Sequence, residues 1–156
     1  LRLRPGLLKK VKDRDIFVPI DIGVISLSCE TGFLEEAKSG GLVGVGTKLD
    51  PAMVKGDLLV GQILGASSAK GNISDSLDVQ YSLIKREGFD NPPLKMAESL
   101  VVSVGTATSI GIIAKMKSGT LGLKLKRAIY IEKGSKIALM RRMGQRWRLS
   151  CFGTIL

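Results

Sequence analysis

The segment Gly41–Pro51, GLVGVGTKLDP, is the first stretch whose residues could do chemistry, because its glycines have the spacing of a phosphate-binding loop. In the motif G-x-x-x-x-G-K-[ST], backbone amides hold the phosphates and a hydroxyl holds magnesium. Gly41 and Gly46 fit the motif, but the next pair is Thr47-Lys48, in the reverse order. The preceding EEAKSG is charged rather than strand-forming. We therefore expect the glycines to let a strand bend or bulge where a backbone approaches closely.

Residues for acid–base, nucleophilic or metal chemistry are scarce. The chain has no histidine, which excludes His-dependent general acid–base catalysis, Ser-His-Asp and Cys-His nucleophiles, and nearly every kind of zinc site. The two cysteines, Cys29 and Cys151, form no C-x-x-C pair. Glu35 and Glu36 are adjacent, so they point apart on a helix or a strand. The sequence predicts no catalytic residue and no metal site.

The stretch RRMGQRWR, residues 141–148, carries the strongest binding signal. It combines four arginines with the only tryptophan of the chain, Trp147. Arginine pairs bidentately with phosphate, and an indole offers a face on which a base can stack. This combination predicts contact with a nucleic acid. The alternative is that Trp147 belongs to the core and that the arginines line solvated strand faces.

The net charge of +10 is distributed unevenly along the chain. Residues 1–65 contain nine Lys/Arg and eight Asp/Glu, whereas residues 66–156 contain fifteen and six. Between Lys115 and Leu156, eleven basic residues accompany a single acid, Glu132. A polyanion is the natural partner for such a segment.

The elements that must position these residues are short runs with a period of two. They lie about 8–12 residues apart, and no long helical pattern separates them, which predicts an all-β protein built as an antiparallel barrel or sandwich. Ser118-Gly119 predicts a tight hairpin turn between two of the runs. The runs are Ser99–Gly105, Ile110–Lys117, Leu121–Arg127, Ser135–Arg141 and Trp147–Ile155.

Two β units are expected, with a boundary in the small, polar segment 65–76, GASSAKGNISDS. The first unit opens with LRLR, and the following Pro5-Gly6 fits the central positions of a type II turn. The opening strand has no upstream partner, so we expect this unit to be incomplete. The units would span residues 1–66 and 67–156.

The chain resembles a known family of translation factors. Gly40–Gly65, GGLVGVGTKLDPAMVKGDLLVGQILG, is similar to the second domain of the gamma subunit of eukaryotic and archaeal translation initiation factor 2. The similarity continues, in the same order, through Arg4–Gly6 (RPG), Val101–Ile113 (VVSVGTATSIGII) and Met140–Ile155 (MRRMGQRWRLSCFGTI). It is weakest over residues 67–98.

The resemblance implies two antiparallel β-barrels of the translation-elongation-factor type, the first of them incomplete. Residues 1–66 would be the C-terminal part of the second domain, and residues 67–156 the third domain. The parent is a cytoplasmic GTPase that delivers initiator methionyl-tRNA to the small ribosomal subunit. GTP and Mg²⁺ would bind in a domain outside this chain, because G-x-x-x-x-G-K-[ST], D-x-x-G and N-K-x-D are all absent here. The chain is thus expected to be a non-catalytic binding module without a cofactor of its own.

The resemblance also implies partners and contact residues. The partners are initiator tRNA, the small ribosomal subunit, the alpha subunit through the second barrel and the beta subunit through the GTP-binding domain, with no membrane. In related elongation factors, the stretch that matches Gly41–Gly46 lies near the aminoacyl end of bound tRNA. Proximity to that end is therefore expected for Gly41, Gly44, Val45, Gly46, Thr47 and Lys48. Contacts of the third barrel with RNA or the ribosome are expected from Lys124, Lys126, Arg127, Arg141, Arg142, Arg146 and Arg148.

Two alternatives stay open at this point. A basic ribosome-associated β-barrel protein would share the charge and the lack of histidine, and it would bind ribosomal RNA permanently. A related tRNA-carrying elongation factor, such as the selenocysteine-specific factor, would share the fold.

Overall fold

Strands dominate the computed structural model, which describes residues 1–12, 14–38, 40–88 and 90–156. Two short 3₁₀ helices, Pro51–Met53 and Lys55–Asp57, interrupt them. The prediction of an all-β fold is confirmed. The strands are β1 (Arg2–Val11), β2 (Arg14–Asp21), β3 (Val24–Cys29), β4 (Gly32–Leu34), β5 (Gly44–Thr47), β6 (Ile63–Gly65), β7 (Asn72–Leu83), β8 (Ser99–Val104), β9 (Ala107–Lys117), β10 (Thr120–Ile131), β11 (Lys136–Met143) and β12 (Arg146–Ile155).

The last six strands close into an antiparallel barrel in the order β10-β7-β12-β11-β8-β9. Strands β8, β9 and β11 alternate inward apolar residues with outward residues, as the period of two predicts. The inward residues form one apolar core. Leu100, Val102, Leu139 and Cys151 are fully enclosed in it.

The predicted hairpin turn at Ser118-Gly119 is confirmed. Strands β9 and β10 pair from Lys117 and Thr120 onward, and Gly119 has a φ of +73°. That left-handed backbone conformation favours glycine over every residue with a Cβ. The turn thereby fixes the register in which β10 presents its basic side chains.

Residues 1–66 form two open three-stranded sheets, in the orders β2-β1-β6 and β4-β3-β5. This arrangement agrees with the prediction that the first barrel is incomplete. Few of its side chains are enclosed: Leu3 and Ile22 are its buried hydrophobic residues among those that the structure describes.

The prediction of a type II turn at Pro5-Gly6 is wrong, because β1 runs through both residues. The pairing of β1 with β2 shifts register between Leu3 and Leu7, which marks a β-bulge. Gly6 has a φ of +91°, and a Cβ there would lie 2.0 Å from the carbonyl oxygen of Val18. The side-chain amide of Gln62 satisfies the Gly6 backbone: it accepts from the Gly6 N–H at 2.8 Å and donates to the Gly6 carbonyl at 3.0 Å.

The segment between β6 and β7 is held against both parts of the chain by Arg4. The buried Arg4 guanidinium donates to the carbonyl oxygens of Ala66 at 3.1 Å and Ser67 at 2.8 Å. It also lies over the ring of Tyr130, 5.6 Å from the centroid. Strand β7 starts at Asn72, so the polar segment expected to be a link is shorter than predicted.

Candidate nucleic-acid interface

Three of the predicted arginines project from the β11–β12 hairpin. Arg142 pairs with Trp147 across the ladder, and Met143 pairs with Arg146 at the turn. Arg142, Arg146 and Arg148 are all exposed. Trp147 is 44% exposed, so it is not a core residue. The hairpin therefore presents an accessible indole beside Arg142 on one face of the ladder, and the exposed Arg146 and Arg148 on the other.

Arg141 lies in a different environment from its neighbours, since it is only 7% exposed. Its Nε donates to Glu98 Oε1 at 2.5 Å, and its Nη2 donates to Glu98 Oε2 at 3.1 Å. Its Nη1 donates to the carbonyl oxygen of Pro92. The Arg141 guanidinium is thus occupied inside the molecule, and it supports the hairpin from beneath.

Asn91 extends this network towards β12. Its Nδ2 donates to the carbonyl oxygens of Ile84 at 3.0 Å and Ser150 at 2.8 Å, and its Oδ1 accepts from the buried Ser150 hydroxyl. Sequence reasoning missed Glu98 and Asn91. The one available signal was alternation: Arg141 follows Ile137 and Leu139 at the same spacing of two, which assigns it to the inward face.

The predicted basic residues of β10 have three different environments. Lys124 donates to Asp75 Oδ2 at 2.7 Å, and this hydrogen bond lowers the pKa of the Asp75 carboxyl. The Arg127 guanidinium lies 5.4 Å from the ring centroid of Phe17. Lys126 is exposed and lines a groove beside the barrel.

The predicted basic residues therefore form two clusters rather than one. In the barrel, β7 lies between β10 and β12, and β9 and β8 lie between β10 and β11. The hairpin arginines and the β10 residues consequently occupy different parts of the barrel wall. The hairpin cluster is the one with exposed arginines beside an aromatic ring.

The glycine-rich segment packs against the serines of a neighbouring strand. Strand β5 pairs with β3, and a Cβ on Gly44 would lie 2.6 Å from Ser28 Oγ. A Cβ on Gly46 would lie 2.3 Å from Ser26 Oγ. Gly44 and Gly46 thus allow the backbone of β5 to lie close to the serine side chains of β3 in the same sheet.

The other predicted residues of this segment are accessible to different degrees. Gly41 has a φ of +72°, Val45 and Lys48 are exposed, and Thr47 is half-buried. Thr47 Oγ1 accepts a hydrogen bond from the Leu49 N–H at 3.3 Å. Asp50 Oδ1 accepts from the Ala52 N–H at 2.8 Å, so this carboxylate caps a 3₁₀ helix. The K-L-D-P sequence is therefore a capped turn.

An open cleft of about 830 Å³ adjoins the same segment. Gly41 and Gly44 line it, together with the exposed Leu42 and residues of the β3–β4 hairpin. Cys29 lies in its wall, where hydrogen bonds with Thr31 lower the pKa of the thiol. Sequence reasoning gave Cys29 no role, because a single cysteine outside any motif carries no spacing signal.

In the described part of the chain, no three His, Cys, Asp or Glu side chains come together in a way that could hold a metal ion. None of the helices in that part has the length and hydropathy needed to span a bilayer.

Comparison with known proteins gives consistent similarities. The family description "Initiation factor eIF2 gamma, C terminal" matches residues 75–155. The chain is 36% identical over 160 aligned positions to translation initiation factor 2 subunit gamma of Pyrococcus horikoshii, and 37% identical to that of Thermococcus kodakarensis. It is 36% identical over 162 positions to that of Halorubrum lacusprofundi. Each alignment covers 99% of this chain and 39% of the relative, so the chain spans about two fifths of its curated relatives.

Among solved structures, the fold is similar to that of apo translation elongation factor SelB from Methanococcus maripaludis. The TM-score is 0.68 at 16% sequence identity, and the match covers 86% of this chain and 32% of that one. At this level of identity the likeness concerns the fold alone.

Proposed function

The chain belongs to the family of translation initiation factor 2 gamma subunits, whose C-terminal β-barrel region it matches, and from this premise we propose that it is a non-catalytic RNA-binding module. Its role would be to help deliver initiator methionyl-tRNA to the small ribosomal subunit in the cytoplasm. The observation that carries the proposal is the β11–β12 hairpin, which exposes Arg142 beside Trp147 on one face and Arg146 and Arg148 on the other.

The hairpin suits a phosphate backbone because its charge is uncompensated. Neither β11 nor β12 contains an acid. Among the described residues, no ion pair or hydrogen bond engages the side chains of Arg142, Arg146 or Arg148. Arginines that neutralise phosphates release the counterions condensed on the nucleic acid, and this release contributes to the affinity. Trp147 would add stacking on an unpaired base.

The predicted basic residues have separate roles in this proposal. Arg142, Arg146 and Arg148 contact RNA, whereas Arg141 positions the hairpin through Glu98. Lys126 is a second exposed contact, and Lys124 contributes less because Asp75 neutralises it. Arg127 orders the β10 backbone beside Phe17.

Residues 1–66 would serve the other partners that the family implies. We assign the aminoacyl end of tRNA to the cleft beside Gly41 and Gly44, with Val45, Gly46, Thr47 and Lys48 on the adjoining strand. The alpha subunit would dock on the same half of the chain. GTP, Mg²⁺ and the beta subunit would belong to the GTP-binding domain, to which no residue of this chain is assigned.

Membership of this family argues against both alternatives left by the sequence. A permanent ribosomal β-barrel protein would have no reason to match the gamma subunit over 99% of its length. The likeness to the selenocysteine factor is a likeness of fold.

The test is binding to purified small ribosomal subunits across a salt series. The chain is compared with a variant carrying Arg142→Ser, Arg146→Ser and Arg148→Ser. A second variant removes three exposed charges elsewhere: Lys9→Ser, Lys10→Ser and Lys70→Ser. A plot of log K against log[salt] has a slope of roughly −0.7 to −0.9 per phosphate contact. We expect the hairpin variant to flatten this slope by about two to three contacts and the lysine variant to leave it nearly unchanged.

Equal slopes for the chain and the hairpin variant would contradict the proposal, since the arginines would then be solvated surface. Equal flattening by both triple variants would also contradict it. That result would show a general response to net charge rather than a local RNA contact.

A further inference from the structure

The outer wall of the closed barrel carries apolar side chains that the core does not use. Four residues lie side by side across four adjacent strands, since Ile110 pairs with Val101, Val101 with Met140, and Met140 with Leu149. Ile112 lies one outward position along β9. Phe152 lies outward on β12 beside Ala138. We call Val101, Ile110, Ile112, Met140, Leu149 and Phe152 the outer apolar band.

The band is exposed although its strands already fill the core with their inward residues. Leu149 is 41% exposed, Ile110 43%, Ile112 48% and Phe152 55%. Over the described residues from 72 to 156, the other exposed large apolar residues are Trp147, at the end of the band, and Met96 and Leu156. Contiguous apolar surface on one face, rather than scattered residues, marks an interaction site.

The strands that carry the band contain charges of one sign. Strands β8, β9, β11 and β12 contain no Asp or Glu. Arg142 lies at one end of the band, and Lys126 lies at the other. The nearest acid in sequence, Glu98, is occupied by Arg141. The surface is thus an apolar centre with a basic rim.

A groove at the β9 end gives the surface a concave part. It has a volume of about 560 Å³, and it lies between the β1–β2 hairpin and the barrel wall. Leu8 and Phe17 form one side, and Val101 and Ile110 of the band form the other. Lys126, Arg127 and Asp75 also line it, and the Asp75 carboxylate is paired with Lys124. Such a groove accommodates a single large apolar side chain, which is how interfaces are commonly anchored.

We propose that this surface binds an acidic protein segment. The segment inserts one apolar side chain into the groove, covers the band with further apolar side chains, and places carboxylates beside Lys126 and Arg142. A nucleic acid fits the band poorly, because every side chain of the band except Phe152 is non-aromatic, offers no stacking face and gains nothing from phosphates. A second copy of the chain fits poorly as well, because two basic rims would oppose each other. The inference does not depend on the RNA contacts proposed above.

The test uses three synthetic 14-residue peptides and amide NMR spectra of the full 156-residue chain. One peptide contains Leu and Glu, the second replaces Leu with Ser, and the third replaces Glu with Lys. We expect only the Leu–Glu peptide to give saturable shifts, centred on residues 101, 110, 112, 140 and 149. Ile110→Thr with Leu149→Thr should raise its Kd at least tenfold. Met96→Thr with Leu156→Thr removes equally exposed apolar groups elsewhere and should change Kd less than twofold.

Charge reversal provides the second arm. Lys126→Glu with Arg142→Glu should raise the Kd of the Leu–Glu peptide at least tenfold and allow the Leu–Lys peptide to bind. Retained dispersion of the amide spectrum confirms that each variant is folded. Three results would overturn the proposal: no saturable shift at the band, equal binding of all three peptides, or a short RNA that shifts the same amides and is weakened tenfold by Ile110→Thr with Leu149→Thr.

Discussion

At the scale of single residues, two arginines that are adjacent in sequence have opposite roles. Arg142 is exposed on the hairpin, whereas Arg141 is enclosed and bonded to Glu98 through two hydrogen bonds. A count of positive charge treats the two alike. The barrel separates them because successive residues of a strand point to opposite faces.

Replacing Arg141 by methionine should therefore destabilise the fold. Arg141→Met leaves the half-buried Glu98 carboxylate without its partner, and breaking a buried ion pair from one side costs about 3 kcal/mol. Urea unfolding measures the loss. The double variant Arg141→Met with Glu98→Leu should recover part of it, because no charge is then stranded. A loss no greater than that of Arg142→Met would show that the pair carries little stability.

Because of Tyr130, the stability of the protein should decrease as the pH becomes alkaline. Burial, followed by the hydrogen bond that its hydroxyl donates to Glu132 at 2.9 Å, raises the Tyr130 pKa above its ordinary value of 10.0. The folded state thus favours the neutral phenol. Its contribution is fully present below the unfolded pKa and is lost as pH rises through the folded one.

Tyr130→Phe separates the hydrogen bond from the titration. At pH 8 the variant should be less stable by about 1 kcal/mol, the usual worth of one hydrogen bond. Above pH 10 its stability should fall less steeply with pH than that of the unaltered chain. Burial also raises the pKa of the Cys151 thiol, and this contribution is the same in both proteins. Urea unfolding between pH 8 and pH 11 provides both comparisons, and parallel curves would contradict the role given to Tyr130.

At the scale of elements, the bulge in β1 depends on a single glycine. Gly6→Ala would place a Cβ 2.0 Å from the Val18 carbonyl oxygen at a φ of +91°, so the β1–β2 pairing must shift. We expect a loss of at least about 2 kcal/mol. Gly65→Ala is the matched control in the same sheet, because no atom lies within 4 Å of its Cβ position and its φ is not left-handed. Similar unfolding midpoints for the two variants would contradict this account.

Sequence patterns predicted the strands of the closed barrel well, for a physical reason. Leu121–Arg127 alternates apolar and other residues, which follows directly from the geometry of a strand, and Ser99–Gly105 and Ile110–Lys117 are rich in the β-branched residues that strands favour. Pro5-Gly6 was misread because the Gln62 side chain, far away in sequence, satisfies the backbone there. Turn chemistry is local, whereas this bulge depends on a long-range contact.

The outer apolar band could not be predicted from local sequence patterns either, because it depends on contacts between distant strands. Val101, Ile110 and Met140 come from three separate runs, and only the strand order brings them side by side. In the sequence, each looks like one more apolar residue of a strand. The basic hairpin was visible because its residues are contiguous, but the division of its arginines required the register.

At the scale of the whole molecule, the two parts of the chain differ in how much they enclose. The barrel of β7–β12 holds one continuous apolar core, whereas residues 1–66 contribute only Leu3 and Ile22 to the buried hydrophobic residues that the structure describes. Arg4 and the Arg127–Phe17 contact tie the parts together through polar and ring contacts. Those contacts set orientation more than they supply buried area, so the open sheets depend on the barrel and the barrel does not depend on them.

Hydrogen exchange should show this asymmetry directly. The slowest amides, in β8 and β11, should exchange through global unfolding, whereas those of β3 and β5 should exchange through local opening and be protected at least about 100-fold less. A chain restricted to residues 70–156 should retain the protection of β8 and β11 within about tenfold, because its core is complete without β1–β6. If protection were uniform across the full chain, or if the shortened chain lost it, the two parts would fold as one cooperative unit. The polar contacts at Arg4 would then contribute far more than their small number suggests.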